Sequence, residues 1–195
     1  MIDSFQTITA EIGEGLYSEK RSKFFAFAHH VTSVEEIKAI IASYRKKYFD
    51  ARHVCYAYML GVERKDFRSN DDGEPSSTAG KPILGQINSH ELTDILIVVV
   101  RYYGGVNLGT SGLIAAYKSA AADAIAHAQV VDRMIEEQIT YDFTYPMMNE
   151  VMRIVKDTDA RIVSQRFDNT CSITLGIRRS EAESLRHRLE QLSFL

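Results

Sequence analysis

Ile95-Leu96-Ile97-Val98-Val99-Val100-Arg101-Tyr102-Tyr103-Gly104-Gly105-Val106-Asn107-Leu108-Gly109-Thr110-Ser111-Gly112 is the stretch on which the fold turns. Residues 95–100 are all Ile, Leu or Val. Such a run predicts a strand buried on both faces, in the middle of a sheet. The glycines after it interrupt the strand, and the Ala-rich segment 113–128 predicts a helix that can pack closely on that sheet. A strand, a Gly-rich turn and a helix in that order can form an anion site. Free amides at a helix start attract negative charge, and Thr110 and Ser111 add hydroxyls. The turn lacks both the Gly-Lys-Ser/Thr of a Walker loop and the dinucleotide fingerprint, so a tight connection needing small residues is the competing reading.

Upstream, segments 5–12 and 22–31 read as strands. A helix follows, with Ser33 as its cap and Glu36 completing a capping box. Val34, Ile37, Ile41, Tyr44 and Tyr48 form its apolar stripe, and Lys46 and Lys47 stand in the last turn, where the helix dipole favours cations. Segment 53–60 reads as a strand. Residues 61–80 are rich in Gly, Pro, Asp, Asn and Ser and read as one long loop, a kind that is usually either functional or disordered. A short helix is expected over 82–89, with Pro82 in its first turn.

Downstream, 130–133 reads as a domain junction. The remainder reads as strand 135–143, helix 146–157, strand 161–167, an Asp168-Asn169 turn, strand 170–177 and helix 181–192, the last capped by Ser180 with Glu183. The order βαββα is a ferredoxin-like unit without its final strand. The expectation is an α+β protein of two domains, 1–132 and 133–195.

Composition narrows the function classes. Of 195 residues, 45% are hydrophobic and 25% charged, which excludes a wholly disordered chain. The formal net charge of −3 argues against a polybasic coat for nucleic acid or anionic lipid, so any RNA contact must come from a local patch. Two cysteines outside any Cys-x-x-Cys pair read as reduced, intracellular thiols. The N-terminal residues carry no signal-peptide pattern, and the longest apolar run is far short of the ~20 residues of a membrane helix. A soluble, cytoplasmic protein with no membrane contact is expected, its oligomeric state left open.

Asp71, Asp72 and Glu74 place three carboxylates within four residues. They can hold a hard cation or act as a base, or they can be a solvated turn bonded to its own backbone; EF-hand spacing is absent. His53 and Cys55 share one strand face, as a nucleophile pair would, although a buried thiol beside a structural His is commoner. His53, Asp71, Asp72 and Glu74 are therefore the candidate catalytic groups. No cofactor and no metal ligand set is predicted. His29 and His30 point to opposite faces if extended. The cluster Tyr44-Arg45-Lys46-Lys47-Tyr48-Phe49 with Arg52 is the candidate RNA patch, cations for phosphates and rings for bases, against the plainer reading of a solvated helix end.

Several segments together resemble the YigZ/IMPACT family. They are Ser22-Lys23-Phe24, Ala51-Arg52-His53-Val54-Cys55-Tyr56-Ala57-Tyr58, Asp71-Asp72-Gly73-Glu74-Pro75-Ser76, Thr78-Ala79-Gly80-Lys81-Pro82-Ile83-Leu84, Arg101-Tyr102-Tyr103-Gly104-Gly105, and Leu108-Gly109 leading to Gly112-Leu113 and Ala116-Tyr117. The C-terminal third resembles the bacterial two-domain form. The resemblance implies an N-terminal domain with the superfold of the second domain of a small-subunit ribosomal protein, and a C-terminal ferredoxin-like domain similar to one in elongation factor G. It implies a translation-associated role. Eukaryotic relatives regulate translation by competing for an activator of the starvation-responsive initiation-factor kinase, largely through a different N-terminal domain that this sequence is not expected to contain. The same superfold includes small-molecule kinases with a phosphate loop similar to Leu108-Gly109-Thr110-Ser111.

The sequence departs from the family pattern at Ser77 (usually Gly), Tyr103 (Phe), Asn107 (Lys), Ser111 (Gly) and Ala115 (Arg). Two of these changes remove positive charge beside the Gly-rich turn, so an anion there depends more on amides and hydroxyls. On this reading the protein contacts RNA, the ribosome or a translation factor. Arg101, Lys81 and the amides of Gly104, Gly105, Gly109, Thr110 and Ser111 meet phosphates, and Arg45, Lys46, Lys47 and Arg52 extend the surface. The alternatives are a small-molecule hydrolase or phosphotransferase using the acidic loop and the Gly-rich turn, and a protein-interaction adaptor.

Overall fold

A computed structural model describes residues 2–192. In chain order its elements are β1 (Ser4–Ile8), β2 (Gly13–Glu19), β3 (Ser22–His30), α1 (Val34–Lys47), β4 (His53–Leu60), β5 (Asp66–Asn70), α2 (Gly80–Ser89), β6 (Ile95–Tyr102) and α3 (Gly109–His127). There follow β7 (Val130–Met134), β8 (Glu136–Phe143), a 3-10 turn (Tyr145–Met147), α4 (Met148–Asp157), β9 (Arg161–Phe167), β10 (Cys171–Arg178) and α5 (Arg179–Leu192). Gln6–Asp132 form one compact unit and the other described residues a second. β1 and β7 pair with each other as a two-stranded ribbon.

In the first unit five strands lie in the order β2-β3-β6-β4-β5. Each neighbouring pair is antiparallel, and Val99 of β6 stands opposite Ala26 of β3 and Cys55 of β4. The run 95–100 occupies the centre of this sheet, with every side chain buried. Each such residue contributes roughly 1.5–3 kcal/mol on burial. Alternation divides β6 between two cores. Ile95, Ile97 and Val99 pack with Phe24, Cys55 and Ala57 under α2 and α3. Leu96, Val98 and Val100 pack with Phe27, Val54 and Tyr58 under α1, which supplies Ile37, Ile41 and Tyr44. The Ala stripe of α3 lets that helix lie close against β2. A Cβ on Gly15 would run into the backbone at Ala120 and Ala124.

The expected cap of α1 is present, with one change. Ser33 Oγ accepts from the Glu36 amide at 3.2 Å, while the Glu36 carboxylate accepts from the Thr32 amide at 3.0 Å. His29 and His30 do part to opposite faces, His29 to the Tyr44 hydroxyl at 2.6 Å and His30 to Thr7 at 3.1 Å.

Three expectations change. The strand expected over 5–12 ends at Ile8, and β2 begins at Gly13. The long loop 61–80 contains β5. Segment 130–133 is part of a strand, β7. β2 and β5 are the two edges of their sheet. An edge strand needs neither a continuous apolar run nor strong β-formers, so the glycines of β2 and the polar side chains of β5 concealed them.

In the second unit β8, β10 and β9 form an antiparallel sheet in that order, as in a ferredoxin-like βαββα unit. Val151, Ile154 and Val155 of α4 and Ala182, Leu185 and Leu189 of α5 cover one face over Ile139, Phe143, Ile173 and Leu175. Ser180 lies inside α5 rather than capping it. Its amide and hydroxyl both donate to the Asp3 carboxylate at 2.9 Å, so the capping anion comes from the start of the chain.

Candidate functional site

The end of β6, the start of β4, the loop 71–80 and the start of α3 meet around a cavity of about 460 Å³. Glu74 enters it from the loop and is 8% exposed. Its Oε1 accepts from Arg101 Nη1 at 2.5 Å and from the Tyr117 hydroxyl at 2.7 Å. Its Oε2 lies 3.7 Å from His53 Nε2. The Arg101 guanidinium sits over the rings of Phe24 and Tyr103, at 5.5 and 5.7 Å from their centroids. His53 Nδ1 is 2.7 Å from the Asp72 carbonyl oxygen. A carbonyl only accepts, so Nδ1 carries the proton and the neutral ring offers Nε2 as an acceptor.

The other two carboxylates of the acidic loop face inward to the backbone. Asp71 accepts from the amides of Ser77, Ala79 and Gly80 at 2.9, 3.1 and 2.8 Å, and so serves as the anion at the start of α2. Asp72 accepts from the Val54 amide at 2.7 Å and meets Arg45 at 3.2 Å. Of the three carboxylates, Glu74 is the one that lines the cavity. Among the described residues no group of three or more His, Cys, Asp or Glu side chains is placed to hold a metal ion. Ser77, where the family pattern has Gly, adopts φ +67°.

Cys55 shares the sheet face of His53 but turns to other partners. Its thiol lies 3.1 Å from the Asp71 carbonyl and 3.4 Å from the Tyr117 hydroxyl. Burial pushes the Cys55 thiol and the Tyr117 phenol well above their ordinary pKa values, so both stay protonated. Neither is a nucleophile in this setting.

The Gly-rich turn divides by role. A Cβ on Gly104 would meet the backbone of Arg21 and Ser22, and the Gly104 amide donates to Ser22 Oγ at 3.1 Å. That amide is committed to the fold. Gly105 and Ser111 are exposed and lie outside the cavity lining. Gly109 and Thr110 line the cavity. They begin a 19-residue helix whose N-cap, Leu108, makes no side-chain cap bond, and whose first turn holds no acid. Its first amides therefore lack the acceptor that Ser33 gives α1 and Asp71 gives α2.

Among the basic candidates, Arg52 lines the cavity and stacks over the Tyr103 ring at 5.6 Å, so that ring carries two guanidinium groups. Lys46 and Lys47 are exposed at the end of α1. Lys47 Nζ lies 5.2 Å from the Tyr48 ring centre, and Tyr48 stacks on Tyr44. Phe49 is 84% exposed. Lys81 is exposed in the first turn of α2, outside the cavity lining. The sequence reading missed the pairing of Glu74 with Arg101 and the part played by Tyr117. The one local signal is a lone phenol in the Ala-rich face of α3.

Residues 20–125 match a family model described as the Impact N-terminal domain. An IMPACT family member from Haemophilus influenzae is 31% identical over 176 residues, covering 89% of this chain and 85% of that one. The IMPACT family member YigZ of Escherichia coli is 33% identical over 150 residues, covering 76% and 74%. A crystal structure of a hypothetical protein superposes with a TM-score of 0.73 at 28% identity, covering 99% of this chain and 94% of the other. The arrangement of two units is thus shared along nearly the whole length.

Proposed function

Because this chain belongs to the IMPACT family, we propose that it is a translation-associated regulatory protein of the cytoplasm. It reaches its target by binding RNA, free or in the ribosome. Family membership supports the translational setting. The contact rests on one observation: Lys46, Lys47, the exposed Phe49 and the ring-stacked Arg52 follow one another where α1 runs into β4. Cations that neutralise phosphates beside a ring that can stack on a base are what unpaired RNA requires, and a chain of net charge −3 needs such a local patch. Arg101 takes a supporting role here, since it is buried against Glu74.

Sedimentation with ribosomes tests the proposal. The protein is expected to travel with ribosomal particles at low salt and to leave them as salt rises. Lys46→Glu/Lys47→Glu should remain in the free fraction. Absence of association even at low salt would contradict the proposal.

A further inference from the structure

We propose that the cavity at the start of α3 is a site for a small phosphorylated sugar, of the size and kind of a nucleoside monophosphate. This ligand is distinct from the RNA held at the end of α1, and the assignment does not depend on that contact.

The helix start is the first observation. Gly109 and Thr110 open into the cavity, and no side chain caps their amides. The N-terminus of a helix this long carries about half a positive charge. The second observation is independent of it. Arg101 lines the same cavity and is 5% exposed, and its Nε–H has no hydrogen-bond partner among the described residues although Nη1 is bound to Glu74. A buried guanidinium N–H without an acceptor is costly, and an oxygen-rich ligand would remove that cost.

The walls distinguish the two ends of the ligand. Arg52, held over Tyr103, presents a preoriented guanidinium, and Thr110 adds a hydroxyl donor. The charges of Glu74 and Arg101 offset one another, so Arg52 and the helix start leave the cavity net positive. Donors therefore gather where a phosphate would lie. Opposite in character are two acceptors, His53 Nε2 and Glu74 Oε2, 3.7 Å apart. Two acceptors at that spacing suit hydroxyl donors of a sugar. The cavity volume is within the range of small-molecule sites.

Calorimetric titration of the full chain with uridine monophosphate, uridine and inorganic phosphate tests this. The monophosphate should bind saturably, and removing its phosphate should weaken binding by about tenfold or more. Thr110→Asp places a carboxylate at the α3 amides, a change that favours the helix while filling the anion position. That variant should keep or raise the melting temperature and lose monophosphate binding. Lys46→Glu/Lys47→Glu should bind the monophosphate as the parent does, which separates this site from the RNA contact. Equal affinity for uridine and its monophosphate would overturn the proposal. So would no saturable binding at millimolar concentration, or unchanged binding by Thr110→Asp.

Discussion

Glu74 and Arg101 are the residues on which the site depends most. Both are nearly sealed from water, at 3% and 7% side-chain exposure, so the pair lies where removing one partner strands the other charge. Arg101→Met should therefore cost about 3–5 kcal/mol in urea unfolding. Glu74→Gln combined with Arg101→Met should cost less than Arg101→Met alone. It leaves no buried charge, and Gln keeps an oxygen for the Tyr117 hydroxyl. A double variant as unstable as the single one would show that the ion pair is not what holds the loop. At this scale the sequence announced residue types but not their uses. Three carboxylates in four residues suggested one acidic cluster, yet Asp71 and Asp72 serve backbone amides while Glu74 alone reaches the cavity. Which way a carboxylate turns depends on loop dihedrals, and the partners are up to 27 residues away. No local pattern records that.

Among the elements, β4 and α3 are joined through groups that must stay neutral. Burial raises the Cys55 thiol above its ordinary 9.0 and the Tyr117 phenol above its ordinary 10.0. The folded state holds these protons more tightly than the unfolded chain does. The stability linked to them is complete below about pH 9 and is lost as pH rises. On the acid side, burial lowers His29, which sits against Tyr44 of α1, below its ordinary 6.5. The unfolded chain then takes up the proton first, so stability falls as pH drops through 6.5. Urea midpoints across pH should show a plateau between these limits, with a shallower alkaline fall for Tyr117→Phe. A midpoint still rising above pH 10 would contradict this. Elements with strong patterns were legible: the buried strand β6, the capped helix α1 and the Ala-rich helix α3. The edges β2 and β5 were not, because their order comes from pairing with β3 and β4 rather than from their own side chains.

For the whole molecule, each unit has its own core and each follows its expected architecture. An α+β sheet sandwiched by helices carries the candidate site, and a βαββα unit accompanies it. Order of segments conveyed this much, since ordered motifs over residues 20–120 constrain topology even where single elements are weak. What the molecule touches was less legible, because net charge describes no surface. With 23 basic against 26 acidic residues, specific contact depends on where a few cations stand. The account's central claim is that Lys46 and Lys47 at the end of α1 meet RNA phosphates. The most direct test is the affinity for single-stranded RNA measured across salt concentrations, for the parent and for Lys46→Glu/Lys47→Glu. The account predicts affinity that falls as salt rises. The log–log slope should be shallower in the variant by about 0.7 for each phosphate contact removed. Affinity indifferent to salt, or equal slopes in the two proteins, would contradict it.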